Sequence, residues 1–438
     1  MAVQGSNFLS GAVVKWNGVA LTTSGMGTAL SAIVPQSYLA SAAIVQVTVE
    51  NPSPGGGLSS SLTFTVAAAP PPTYVRTVLQ ISDAKDILAD PVRGLLYLSM
   101  PATDSMYPNS IVSLEPIAAG VARITPTGQG PYMMSASLDN AHLWVTLDGD
   151  YALERFSLPG LAQEFTVSTP LVGGVPQQVI SLDAGAASPR SAAIVVGLWD
   201  IYPPYDGVYI FDDDVQRPGN LPAWMAGGPP IAWARWGPDD SVLYGGYDFN
   251  NGSISVLSVT SAGITFESSN GDSAPWRPVM DRKQNILYDN AVGMAYDPPT
   301  ARLLGRFPLP GSAACTEDGT LQRYYCATAY FDGGSDVLLY ELWVYDLNSY
   351  AFIERTYFGW RSSGSGGSNA AFTGQPRKLV RWGNSGLALI TTDDGMGFGP
   401  SGLFLFDGNA VNPNVPPDVS SGIAGASCVG ETGACSQF

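Results

Sequence analysis

One histidine, His142, and four cysteines are all that 438 residues offer a soft metal, and no two cysteines stand in CxxC spacing. Zinc sites draw their ligands from these two residue types at short spacings, so the chain argues against one. Positive charge is scarce as well. Twenty Lys and Arg face 37 Asp and Glu, a formal net charge of −17. Nucleic acid is held through Lys/Arg clusters that are missing here, and an anionic membrane surface is disfavoured for the same reason. No run approaches the roughly 20 apolar residues of a membrane span. Met1 is not followed by the charged region and apolar core of a signal peptide. GxSxG, HExxH, Walker-type and dinucleotide-binding motifs are absent, so nothing marks a cofactor or a metal. Taken alone, these absences describe a cytosolic chain; the cysteines and the opening stretch point elsewhere.

What is plentiful is glycine, 50 residues, and proline, 34, in a chain that is 45% hydrophobic and only 13% charged. Both residues break helices and punctuate strands. No amphipathic helix is visible, and the composition predicts an all-β protein. The length predicts two domains. The acidity reads most simply as solubility.

Residues 1–68 carry short strands in "AVVKWNG", "ALSAIVP", "AIVQVTVENP" and "SLTFTV". Trp16, Val45, Val47, Val49, Leu62, Phe64 and Val66 alternate with polar or small neighbours, the period of strands with one buried face. The stretch "GSNFLSGAVVKWNGVALTT", then "IVP", then "VQVTVENPSPGGGLSSSLTFTV" resembles the IPT/TIG immunoglobulin-like domain of bacterial cell-surface and secreted proteins, over nearly all of residues 3–66. That family opens with an additional strand carrying an "SP" turn. Its absence here leads to the expectation of a sandwich lacking its first strand, with an export signal upstream of Met1. The edge so bared would be a pairing liability.

"AAAPPPT", Ala67 to Thr73, contains the Pro-rich linker expected at 69–73, semi-rigid in polyproline geometry. From Tyr74 the chain repeats itself. A short apolar strand recurs as "LLYLS" at Leu95, "LWVT" at Leu143, "AIVVG" at Ala193, "VLYGG" at Val242, "ILYDN" at Ile286, "YYCAT" at Tyr324 and "LALIT" at Leu387. The period of roughly 40 to 60 residues is that of propeller blades. Each copy is preceded by a strand often entered through Pro, as in "GQGPYMMSAS" or "GQPRKLVRW", and followed by further apolar strands. Four strands repeated seven times make a seven-bladed β-propeller over 74–410. The last unit lacks its outer strand, which "YVRTVLQ" at Tyr74 is expected to supply, closing the ring. The repeat resembles the YVTN/WD-like propellers of bacteria, which implies an architecture and no particular function. Residues 411–438 form a Gly/Ser/Pro-rich surface tail.

The cysteines fall into two local pairs, Cys315 with Cys326 and Cys428 with Cys435. Cys315 and Cys326 flank the turn "TEDGT" and would lie nearly opposite each other on a hairpin, where a disulfide is possible. Two such pairs fit an oxidising compartment. The alternative is four thiols packed as small apolar groups.

Propeller ligands sit at the mouth of the central channel. Aligning the units on their recurring strands brings Lys85, Tyr132, Gln177, Trp233, Arg277 and Arg377 to one entrance, cations and aromatics in an acidic protein. They suit an anionic or carbohydrate ligand, or they plug the channel and satisfy one another. His142 is expected at an exposed blade turn, without a nucleophile to assist. The acidic turns at Asp212–Asp214, Asp248, Asp393 and Asp394 read as β-turns rather than metal loops, and the adjacent Asp239 and Asp240 point apart. Trp224, Trp233, Trp236 and Trp276 are either core or an outward platform. The expected function is therefore binding rather than catalysis, at the cell surface, outside the cell or in the periplasm, with a polysaccharide or an envelope protein as partner. The alternatives are a propeller enzyme of lactonase or lyase type and a structural envelope or filament subunit.

Overall fold

The computed structural model describes residues 1–35, 38, 43–54, 56–66, 74–78, 81–198, 205–222, 231–247, 252–271, 275–276, 278–311, 313–331, 337–362, 374–382, 386–392, 401–407, 411, 427–428 and 435–436. All regular elements among them are strands, apart from a single turn residue at Tyr38. The chain divides into two units, Met1–Pro72 with Asn414–Phe438, and Thr73–Pro413.

In the first unit, Ala2–Phe8 pairs antiparallel with Thr22–Ile33. A second sheet joins Val13–Trp16, Val19–Ala20, Ala43–Asn51, Gly57–Leu58 and Leu62–Val66. Leu30 and Ala32 of the first sheet bury against Val14, Trp16, Val45, Val47 and Val49 of the second, so the two sheets share one apolar core. The Trp16 ring lies 5.1 Å from that of Phe64. The opening segment, not picked out by its pattern, is itself a strand, with five of its seven residues exposed. One sequence expectation needs correction. Leu62 stays 62% exposed, as the first residue of a strand that pairs on one side only among the described residues.

In the second unit, six four-stranded sheets and one with an extra short strand succeed one another among the described residues. Their first strands are Asp86–Asp90, Pro131–Ala136, Gln178–Ala184, Trp233–Trp236, Pro278–Asp281, Ala313–Asp318 and Gln375–Trp382. Each of the recurring apolar strands is the second strand of one sheet. The physical reason for their unbroken apolar character is burial on both faces. Leu96 and Leu98 of the first sheet pack with Ala388 and Leu405 of the seventh, while the intervening Tyr97 packs with Leu143 and Val145 of the second. The same division recurs from sheet to sheet: Trp144 with Ile194, Val195 with Leu243, Tyr244 with Leu287, Tyr288 with Tyr324, and Tyr325 with Leu389. Apolar contact thus runs through all seven sheets and returns to the first. Each such side chain, fully buried, stabilises by roughly 1.5–3 kcal/mol.

The seventh sheet takes its outermost strand from the beginning of the unit. Tyr74–Val78 pairs with Leu403–Asp407, Val75 opposite Phe406 and Val78 opposite Leu403. Two glycines admit tryptophans to these interiors. Trp382 faces Gly386 and Trp233 faces Gly246 across their strand pairs. A Cβ on either glycine would lie 2.0 or 2.3 Å from an indole carbon, a distance no side chain tolerates.

Candidate functional site

The first strands lie at one edge of their sheets, and those of successive sheets pack against one another except between the fifth and the sixth, so residues at equivalent depth meet. Asp86 marks one level. Its Oδ1 receives Lys378 Nζ of the seventh sheet at 2.6 Å, and its Oδ2 accepts the Met134 N–H of the second at 2.8 Å. Three sheets are tied by one carboxylate.

Just beyond that level, at the start of these strands, Arg377 lays its guanidinium over the Tyr132 ring, 5.0 Å from the centroid. Tyr132 is fixed from behind, its carbonyl accepting Ser99 Oγ at 2.6 Å. Asp148 joins them from the turn after His142–Leu147. Its N–H donates to Gly130 O at 2.9 Å, drawing the turn against the loop that enters Pro131–Ala136. Burial pushes the Asp148 carboxyl up to about 6, partly opposed by the charge of Arg377. Its Oδ1 has no hydrogen-bond partner among the described residues. The sequence reading missed Asp148, because "LDGDY" offers Asp148 and Asp150 as equals. Only the fold separates them: Asp150 is exposed and accepts the Gln129 N–H.

The other expected mouth residues that are described make other contacts. Lys85 precedes its strand and pairs with Asp83 at 2.9 Å. Gln177 is 1% exposed, its amide donating to Val175 O at 2.9 Å. Trp233 is buried among Tyr244, Leu287 and Tyr296. Trp233 thus packs between the fourth and fifth sheets, whereas Gln177 is buried against the segment that precedes its own strand. Arg277 lies outside the described residues. The pair brought into contact is Tyr132 with Arg377.

At the far end of the same strands, cations and carboxylates pair. Arg282 reaches Asp183 at 3.0 Å, and Asp183 also accepts the Trp236 N–H at 2.8 Å. Arg381 meets Asp318 at 2.8 Å. Arg235 donates to Ser181 Oγ and Pro278 O at 2.8 and 2.9 Å, and its burial lowers its pKa.

His142 is the first residue of its strand, half-buried, with Nδ1 3.0 Å from Glu164, which also binds Arg155; the exposed turn expected for it is corrected by that strand pairing. Asp212 and Asp213 are held by Arg217, Arg155 and Arg190. Asp239 accepts the Ser241 N–H, and Asp240 accepts the Ala187 and Ser188 N–H groups, so these two do point to different partners. Trp236 is buried and Trp276 60% exposed. Trp224, Asp248, Asp393 and Asp394 lie outside the described residues. Among the described residues no group of three or more His, Cys, Asp or Glu is placed to hold a metal ion.

Cys315 and Cys326 stand directly opposite each other on Ala313–Asp318 and Arg323–Phe331 and form a disulfide. Cys428 and Cys435 are opposite in backbone register; their side chains lie outside the described residues. No described helix is long and apolar enough to cross a membrane.

No known family profile matches the chain, and no curated protein matches it in sequence. In fold it is similar to the β-propeller domain of Cps50 (Swd1) from Myceliophteria thermophila, at 10% identity and a TM-score of 0.54, covering 76% of this chain and 99% of that one. A hydrazine synthase from Kuenenia stuttgartiensis aligns at 10% identity and a TM-score of 0.37, over 72% of this chain and 79% of that one. The class is thus an all-β protein with a propeller-like unit. At such identity the likeness is one of fold.

Proposed function

We propose that the chain is a non-catalytic binding scaffold of the bacterial cell exterior, an IPT/TIG-like sandwich joined to a seven-bladed propeller whose channel mouth holds anionic groups of a partner, an extracellular polysaccharide or an envelope protein. One observation carries the reading. Lys85, Lys378, Arg282 and Arg381 are each paired with a carboxylate, whereas Arg377 forms no ion pair among the described residues and is held ready on Tyr132. A guanidinium presented this way keeps its planar set of donors for an incoming carboxylate, while the ring beneath limits its entropy loss. The Cys315–Cys326 disulfide supports an oxidising compartment.

Calorimetric titration with an oligogalacturonate and with a glutamate-rich peptide tests the reading. Arg377→Ala is expected to weaken whichever ligand binds by about tenfold or more, and unchanged binding by the variant would refute the proposed mouth. Stoichiometric calcium or zinc in the purified protein would instead favour the enzyme alternative.

A further inference from the structure

Arg377 and Arg381 lie four residues apart on one strand, about 13 Å at the rise of an extended chain. Because Arg381 pairs with Asp318, the neighbouring Glu317 belongs to the end of the channel away from Tyr132. There a cavity of about 460 Å³ opens between the fifth and sixth sheets, lined by Asp281, Lys283, Gln284, Glu317, Thr320 and Gln322. Asp281 ends the strand Pro278–Asp281, and its Oδ1 accepts the N–H groups of Lys283 and Gln284, both at 3.0 Å. Glu317 has less support, its carboxyl meeting only its own backbone N–H. Its Oε2 is buried and has no hydrogen-bond partner among the described residues.

We propose that this cavity takes up a primary ammonium group, with Glu317 and Asp281 as its anionic partners. A buried carboxylate oxygen without a donor is costly to leave unmet. Burial foremost, and then the charges of Asp281 and Asp318, push the Glu317 carboxyl up to about 7. An ammonium relieves both causes, because it brings three donors and a positive charge to one point. A calcium ion would want six to eight oxygens, and no group of three acidic side chains is placed to hold a metal among the described residues. A neutral hydroxyl would meet the orphan oxygen and leave the repulsion standing. Lys283 forms no ion pair among the described residues, so no cation of the chain is seen to fill the place already. The ammonium group belongs either to a free aliphatic amine or to a lysine side chain, and the volume suits one extended aliphatic chain.

The groups facing Glu317 are Asp281 and Lys283 at the end of the fifth sheet's first strand, Asp318 with its partner Arg381, and the phenols of Tyr288 and Tyr324, which its charge helps to keep protonated. None of these supplies a donor to Oε2. Uptake of an ammonium is therefore coupled to loss of the Glu317 proton, and affinity is expected to rise with pH through about 7.

The test is calorimetric titration of the whole chain, above neutral pH, with 1,5-diaminopentane and with Nα-acetyl-lysine amide. Binding in the millimolar range or tighter is expected for one of them, and the tighter ligand identifies the source. Glu317→Gln should weaken it by about tenfold or more, and Lys283→Ala, which removes a repelling charge, should strengthen it by about two- to threefold. The melting temperature of Glu317→Gln should equal or exceed the wild-type value, which separates lost binding from lost folding. No binding of either amine, equal binding by Glu317→Gln, or displacement of the amine by stoichiometric calcium overturns the proposal.

Discussion

Asp148 and Asp150 stand two positions apart in one turn, yet only Asp148 is driven toward protonation. Burial raises its carboxyl to about 6, while in an unfolded chain it would titrate near 4. Between those values the native state holds a proton that the unfolded state has released. Stability therefore declines as pH rises from about 4 through about 6, and the penalty is full above that. Asp148→Asn is expected to raise stability by about 1–2 kcal/mol at about pH 8 and to change nothing below about pH 4. Urea unfolding at the two pH values measures it. Neither the residue type nor its spacing marked Asp148, because desolvation depends on the loop around Gly130 folding back over the turn. The same holds for Glu317, which reads in "CTEDGT" as one more turn acid. Cys315 and Cys326 were legible, since a hairpin places partners opposite one another wherever the turn is short.

The element that this disulfide fastens is the hairpin Ala313–Asp318 with Arg323–Phe331, whose turn walls the cavity beside Asp281. Cross-linking two strands already in register constrains a short loop, so the gain lies toward the low end for such bonds. Cys315→Ala with Cys326→Ala is expected to cost about 2–3 kcal/mol. The urea midpoint should fall with the slope unchanged, and an unaltered midpoint would mean that the strands need no clasp. Periodicity located the second strand of every sheet because those strands are apolar on both faces. It did so less well for edge elements. Ala2–Phe8 and the hairpin of Leu171–Val172 with Val175–Pro176 are mostly exposed, and exposed strands carry no hydrophobic signal to count.

For the second unit as a whole, the decisive pairing joins residues more than 300 positions apart. Tyr74–Val78 covers the outer edge of Leu403–Asp407, which would otherwise be bare. Alternate residues of an outermost strand turn their N–H toward the neighbour and away from it. Of the two substitutions Arg76→Pro and Thr77→Pro, one breaks the ladder and is expected to cost about 3 kcal/mol, whereas the other faces outward and costs less. Chemical unfolding of both variants reads the difference. If both leave stability unchanged, the strand is not a latch.

The sequence by itself determined the strand content, the sevenfold recurrence of a doubly buried strand and the local pairing of Cys315 with Cys326, because all three follow from short-range chemistry along the chain. Tertiary structure alone decided which side chains meet. Arg377 crosses the first sheet to reach Tyr132, Lys378 finds Asp86, and Trp233 turns in between two sheets, since contact across a cycle of sheets depends on depth and facing that no spacing encodes. The same physics left Glu317 Oε2 without a donor: the cavity that Glu317 borders lies between two neighbouring sheets, and a linear reading sees only one.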